Sequence, residues 1–263
     1  MTPDGRVRLG AVEFLNARPL VHELDMVPRF DLRYDIPSTC ASLLHDGAID
    51  IGLIPSIEYL RGGPYRIVPD IAIASNGPVA SVSLYTTKPI ADVKSIALDT
   101  SSRTSAALVQ VLCARWFRIQ PVFEHLGPDI RVMLDHCDAA LIIGDAALLM
   151  EASGAEKIDL GEVWAAMTGL SFVYAFWAGR AGVLDEPDVA ALQRARDAGV
   201  TQFDLIAREY FADSPDRQAI GAQYLRDNIK YYLGDPERAG LETFFRYAAE
   251  AGVVPDGGRL EFY

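Results

Sequence analysis

Clusters of positive charge, long apolar runs and paired cysteines are all missing from this sequence, and each absence removes a class of function. The 24 Lys and Arg are outnumbered by 36 Asp and Glu, giving a formal net charge of −12. No local run of Lys or Arg reverses that balance, so nucleic acid and anionic membrane surfaces are repelled rather than bound. No apolar stretch approaches the roughly 18–20 residues of a membrane span. The start, Met1-Thr2-Pro3-Asp4-Gly5-Arg6, lacks the basic flank, apolar segment and small-residue cleavage site of an export signal, and the expected location is the cytoplasm. Cys40, Cys113 and Cys137 are odd in number and show no CxxC spacing, which predicts neither a disulfide framework nor a zinc site. The four histidines form no Ser/His/Asp or Cys/His arrangement, and no phosphate loop or dinucleotide fingerprint is present. Metal and nucleotide cofactors are therefore not expected.

What is present is the composition of a folded protein. Half of the residues are hydrophobic and a tenth aromatic, with 21 glycines and 15 prolines dispersed along the chain. Its 263 residues suffice for one large domain or two lobes of roughly 100–150 residues each. Residues 6–12 alternate like a strand, and Asn16 is placed to cap a helix over 17–24. A strand at 30–36, a helix opened by Pro37 and closed at Gly47, and a buried strand at 50–55 complete a β-α-β-α-β run, which implies a parallel sheet with helical crossovers. Longer strands are expected at 65–75 and 78–87. The rhythm restarts with a strand at 95–98, a helix over 105–116 and strands at 121–125 and 139–143, and an aromatic strand follows at 172–179. From 185 onward three helices are expected, over 189–210, 215–228 and 236–251. The pattern predicts an α/β protein of two lobes, the first from 1–87 plus 178–263 and the second from 88–177. Ligands in such folds sit in the cleft, at strand carboxyl ends and helix N-termini.

Chemistry-bearing residues concentrate at those ends. Asp99-Thr100-Ser101-Ser102-Arg103-Thr104-Ser105 places several hydroxyls beside the free N–H groups of a helix start, an arrangement suited to a carboxylate. A helix cap needs only one hydroxyl, so the surplus points to a ligand; Arg103 either adds charge or is solvated. Asn16, after the first strand, offers both a donor and an acceptor to a ligand or else is a plain cap. Ser81 and Ser83 share one face of a strand because side chains alternate with period two. Gly144 exposes a backbone amide at the end of a buried strand. Asp145, beside it, is a general base, an acceptor or a cap. His125 is the one histidine placed at a strand end. Trp164, Phe172, Tyr174 and Trp177 read as core or hinge packing, with room for one of them to wall the cleft.

An ordered set of motifs resembles the chorismate dehydratases of the futalosine route to menaquinone. It comprises Gly10-Ala11-Val12, Leu15-Asn16-Ala17-Arg18-Pro19-Leu20, Asp50-Ile51-Gly52-Leu53-Ile54-Pro55 with Glu58-Tyr59, Ser81-Val82-Ser83-Leu84, and Leu98-Asp99 with Ser102-Arg103-Thr104-Ser105. It continues through Leu141-Ile142-Ile143-Gly144-Asp145-Ala146-Ala147-Leu148, Asp159-Leu160-Gly161 with Trp164, and Phe172-Val173-Tyr174-Ala175-Phe176-Trp177-Ala178. The resemblance implies a fold like type II periplasmic-binding proteins, a small dicarboxylate substrate (chorismate) and a dehydration without cofactor. Under it, the helix start with Ser102, Thr104 and Ser105 would hold one carboxylate, with Asn16, Ser81 and Ser83 available to the rest of the substrate; Arg103 and Gly144 are further substrate-binding candidates, and Asn16 and Asp145 are the catalytic candidates. The proton acceptor and the oligomeric state stay open at this level. The sister enzyme 1,4-dihydroxy-6-naphthoate synthase carries Ile-His-Glu where this chain reads Ile143-Gly144-Asp145, so its His is missing here. A non-catalytic small-anion-binding protein is the other alternative.

Overall fold

The structure, a computed structural model, describes Thr2, residues 5–151 and residues 154–263. The chain opens with β1 (Val7–Val12), β2 (Phe30–Asp35), α1 (Pro37–His45), β3 (Ile51–Pro55), β4 (Tyr65–Ile67) and β5 (Ile73–Ser75). Next come β6 (Val82–Thr86), β7 (Ser95–Asp99), α2 (Arg103–Leu112), β8 (Val122–Leu126), α3 (Ile130–His136), β9 (Ala139–Ile143) and α4 (Gly144–Leu149). The remainder comprises β10 (Glu156–Asp159), α5 (Leu160–Thr168), β11 (Phe172–Arg180), α6 (Glu186–Gly199), α7 (Phe203–Tyr210), α8 (Pro215–Asp227) and α9 (Asp235–Glu250).

Two sheets result. The first runs β2-β1-β3-β11-β4, with β5 also on β11, and the second runs β10-β6-β9-β7-β8. In the first sheet β1 is parallel to β2 and β3, and β11 is antiparallel to β3, β4 and β5. In the second, β7 is parallel to β8 and β9, while β6 runs antiparallel to β9 and β10. β3 (Ile-Gly-Leu-Ile-Pro) and β9 (Ala-Ala-Leu-Ile-Ile) are buried at every position, as strands covered on both faces must be. Trp164 on α5 meets the rings of Phe172 and Phe244 edge-on at 5.1 and 6.0 Å, joining α5, β11 and α9 in the main core.

The pairing corrects the lobe boundaries expected from the sequence. Residues 82–86, expected in the first lobe, form β6, whose strand partners among the described residues are both in the second sheet. Residues 172–177, expected in the second, belong to the first sheet through β11. The chain therefore crosses from one sheet to the other between β5 and β6 and returns between α5 and β11. Local sequence announces a strand but not its partner, because pairing is decided by burial against distant segments.

Other expectations shift for local reasons. Asn16 does not cap a helix: it lies inside a 3-10 helix, Leu15–Val21, whose cap position is Phe14 and which contains Pro19. The helix expected over 105–116 starts at Arg103, with Ser102 as its cap, and ends as a π-helical turn at Cys113–Phe117. The long helix expected over 189–210 is two helices, α6 and α7. The expected strands at 65–75 and 78–87 are the short β4, β5 and β6. Ala80 has a left-handed φ of 63°, which breaks the extended run before β6.

Candidate active site

A cleft of about 490 Å³ of empty space lies between the sheets, where Val12 ends β1, Pro55 ends β3, Ile143 ends β9 and Ser102 follows β7. Carboxyl ends of parallel strands converge there because the helical crossovers carry each chain away and leave the strand ends bare. Its wall is mostly apolar, with Val12, Phe14, Pro55, Ile73, Val79 and Tyr174. The polar groups are Asn16, Ser81, Ser102 and Ser105, and among the described residues no charged side chain lines it.

At the start of α2 the side chains divide by helical spacing. Ser102 and Ser105, three apart, share one face and look into the cleft. Ser102 Oγ accepts from the Ser105 N–H at 3.3 Å and donates to Ser105 Oγ at 2.8 Å, which leaves the Ser105 hydroxyl proton for a ligand. The turn before them is held by Asp99, whose Oδ1 accepts from the Ser101 N–H at 2.8 Å and the Ser101 hydroxyl at 2.6 Å. Burial pushes the Asp99 pKa up, against those two bonds.

Arg103 and Thr104 turn the other way. Arg103 donates to Glu58 Oε2 at 2.6 Å and to Ser42 Oγ at 2.8 Å. Thr104 Oγ1 accepts from the Ile57 N–H at 3.2 Å and lies 3.4 Å from Ser56 Oγ. Both tie α2 to the first sheet's loops instead of lining the cleft. The structure thus separates the expected hydroxyl cluster into a cleft-facing pair and a tethering pair.

The crossing into β6 is built on Asp159. Its carboxylate accepts from the N–H groups of Val79 at 3.1 Å and Ala80 at 2.6 Å and caps α5 through the Glu162 N–H at 3.0 Å. Ser81 then faces the cleft, with Oγ 2.7 Å from the Tyr224 hydroxyl. The expectation that Ser81 and Ser83 share the cleft face fails. Ser83 is fully buried within the second sheet with no partner for its Oγ, and Val82 lines the wall instead; Ser81 precedes β6, so the strand's alternation does not extend to it.

Gly144 reaches the wall with φ 67°. A Cβ there would stand 3.1 Å from the Phe14 ring, and the left-handed backbone independently favours glycine. Its amide is not free for a ligand as expected, since it donates to the Ser81 carbonyl at 2.8 Å. Asp145 does not line the cleft either. Its carboxylate accepts from the Leu15 N–H at 3.3 Å and from the Tyr210 hydroxyl at 2.5 Å. Burial raises its pKa, and the bonds from Tyr210 and Leu15 oppose the rise. Asp145 thereby clamps the start of α4 to the first sheet's 3-10 helix and to α7. His125 lines a separate surface cleft with Asp99, Thr100 and Arg103.

Asn16 is placed differently from all of these. Its Oδ1 is buried and has no partner among the described residues, while the residue lines the cleft. A buried carbonyl oxygen left unpaired costs about 1–3 kcal/mol, and a ligand hydroxyl in the cleft would satisfy it. Tyr224 and Tyr210 were not expected from the sequence. They sit on α8 and α7, and the Tyr224 contact joins residues 143 apart, beyond the reach of any spacing rule.

Residues 7–250 match the model of a family described as menaquinone biosynthesis. The chain belongs to that family. It is 30% identical over 269 residues to the chorismate dehydratase of Thermus thermophilus, covering 94% of this chain and 95% of that protein. Among solved structures, a protein of Archaeoglobus fulgidus superposes with a TM-score of 0.76 at 15% identity, over 96% of this chain and 100% of that one. The alkanesulfonate-binding protein of Xanthomonas axonopodis pv. citri, bound to MOPS, superposes with a TM-score of 0.68 at 15% identity, over 98% and 96%. These likenesses show that the family member has a periplasmic-binding-protein-like fold of two sheets flanked by helices. No helix among the described residues is long and apolar enough to cross a membrane.

Proposed function

We propose that this protein is a cytoplasmic lyase that dehydrates chorismate to 3-[(1-carboxyvinyl)oxy]benzoate in the futalosine route to menaquinone, with the two sheets as lobes closing on the substrate. The observation that carries the reading is the cleft wall: among the described residues it offers hydroxyls, a helix start and an unpaired carboxamide oxygen on an apolar surface, with no charged side chain. Such a wall can hold and desolvate a dianion but has little to offer as a strong base. Chorismate dehydration asks for that combination.

One substrate carboxylate lies at the start of α2, where the Ser105 hydroxyl and first-turn amides donate and the helix dipole favours negative charge. The C4 hydroxyl lies at Asn16 Oδ1. The C3–H bond breaks, and its proton passes to the enolpyruvyl carboxylate of the substrate itself. The C3–H electrons form the C3–C4 double bond as the C4–O bond breaks. The departing hydroxide takes that proton from the carboxyl group and leaves as water, and the ring becomes aromatic. Aromatisation supplies the driving force, so the protein's contribution is orientation and exclusion of water. The likeness to the Thermus thermophilus enzyme supports this substrate.

If the substrate supplies its own base, Asp145 is a clamp and not a proton acceptor. Asp145→Asn is then expected to keep turnover within about tenfold of wild type. A loss of about 10²–10⁴-fold, the usual contribution of a general base, would move the proton-accepting role to Asp145. Steady-state measurement of chorismate consumption decides between the two.

A further inference from the structure

The Tyr224 phenol is 2% exposed and Ser81 1% exposed, so each must find its hydrogen-bond partners inside the protein or in the cleft. Their oxygens are 2.7 Å apart. The phenol has one proton to place, and among the described residues Ser81 Oγ is the partner at hydrogen-bond distance, with either hydroxyl able to donate. Asn16 Oδ1 is not an acceptor for it, since it has no partner among the described residues. Burial holds the Tyr224 pKa high, so the phenol keeps its proton across the neutral range.

From this we infer that Tyr224 is a positioning residue of the site: it donates to Ser81 Oγ and so turns the Ser81 proton into the cleft as a fixed donor beside the acceptor Asn16 Oδ1. A hydroxyl alone can present either its proton or its lone pairs. With one lone pair of Ser81 taken by Tyr224, its proton is left to point into the cleft. The wall then reads a ligand that offers an acceptor oxygen next to a hydroxyl group. On the proposed chorismate reading, on which this assignment rests, those are an oxygen of the enolpyruvyl side chain and the C4 hydroxyl, on neighbouring ring carbons. The donor–acceptor pair sets which of the two C3 and C4 substituents sits in which place, and hence whether the carboxylate reaches the C3 proton.

The test compares Tyr224→Phe, Ser81→Ala and the double variant with wild type, measuring chorismate turnover, chorismate affinity by titration calorimetry and thermal stability. Tyr224→Phe keeps the ring and its packing. It is expected to lower kcat/KM about 10- to 100-fold, the range for losing one hydrogen bond, direct or relayed, to a charged ligand. In the Ser81→Ala background the same change is expected to have no further effect, because there is no hydroxyl left to orient. A purely structural Tyr224 would instead cost the same in both backgrounds, and that result overturns the assignment, as does a Tyr224→Phe enzyme of wild-type kcat/KM. Should wild type bind chorismate without converting it, the dehydration reading falls. Tyr224 is then judged on affinity, where a tenfold loss in Tyr224→Phe supports its role and an unchanged affinity overturns it. A folded wild type that neither binds nor converts chorismate overturns both.

Discussion

Asn16→Asp is expected to lower chorismate turnover by about a thousandfold while leaving the fold intact. The two side chains have the same shape, so packing is preserved. What changes is charge. A carboxylate at this position enters a cleft with no charged side chain on its described wall and faces a dianionic substrate. Two like charges about 4 Å apart at an effective dielectric of about 20 repel by about 4 kcal/mol, which is about three orders of magnitude in rate or affinity. Asn16→Ala removes the acceptor without adding charge and is expected to cost less. Measured kcat and dissociation constants for chorismate distinguish the two effects. An Asn16→Asp protein that turns over at a rate near wild type would remove Asn16 from the site.

Glu58→Gln is expected to destabilise the fold by about 3 kcal/mol, the lower end for breaking a buried ion pair, or about 5–10 °C in melting temperature for a chain of this size. Glu58 is 1% exposed and accepts from three elements at once. Its Oε1 takes Arg61 at 3.0 Å, and its Oε2 takes Arg103 at 2.6 Å and lies 3.0 Å from His45 Nε2. The carboxylate thus joins the turn after β3 to α1 and to the start of α2, which carries Ser102 and Ser105 to the cleft. An amide cannot accept from all three side chains and leaves the charges of Arg61 and Arg103 without an anion.

Burial alone would raise the Glu58 pKa, but the bonds from His45, Arg103 and Arg61 outweigh it and hold the pKa below its ordinary 4.5. A depressed carboxylate pKa stabilises the fold above the unfolded value, and that stabilisation is lost as pH falls through the folded value. The stability difference between wild type and Glu58→Gln is therefore full at neutral pH and closes at acid pH, below the ordinary carboxylate range. Denaturant midpoints across that range measure it. A gap independent of pH would show that the carboxylate charge is not what Glu58 contributes.

How far the sequence revealed the site follows from what fixes each residue's position. Asn16, Ser102 and Gly144 each follow a strand within a β/α alternation, and the end of a parallel strand points at the cleft whatever its neighbours are. Their approach to the wall could be read from element order alone. Ser83, Thr104 and Arg103 carry the same chemical types but face elsewhere. The first lies in a strand whose alternation begins one residue after Ser81, and the other two are rotated by helical pitch toward Ser42, Ser56 and Glu58. Hydroxyl content predicted the cluster but not its partition. Tyr224, Tyr210 and the exchange of β6 and β11 between sheets were illegible for one shared reason: each depends on which distant surfaces pack together, and neither periodicity nor capping encodes that. Asp145 illustrates the limit within a single residue. Its place at a strand end suggested a general base, an acceptor or a cap; it is an acceptor, but its partners, Leu15 and Tyr210, make it a bridge between the sheets.

The central claim is that this cleft dehydrates chorismate, and proton NMR of chorismate mixed with the purified protein tests it most directly. Dehydration predicts replacement of the cyclohexadiene signals by four aromatic protons of a meta-substituted benzoate, with the two enolpyruvyl methylene protons retained. Chorismate signals that persist unchanged beside protein shown to be folded would contradict it.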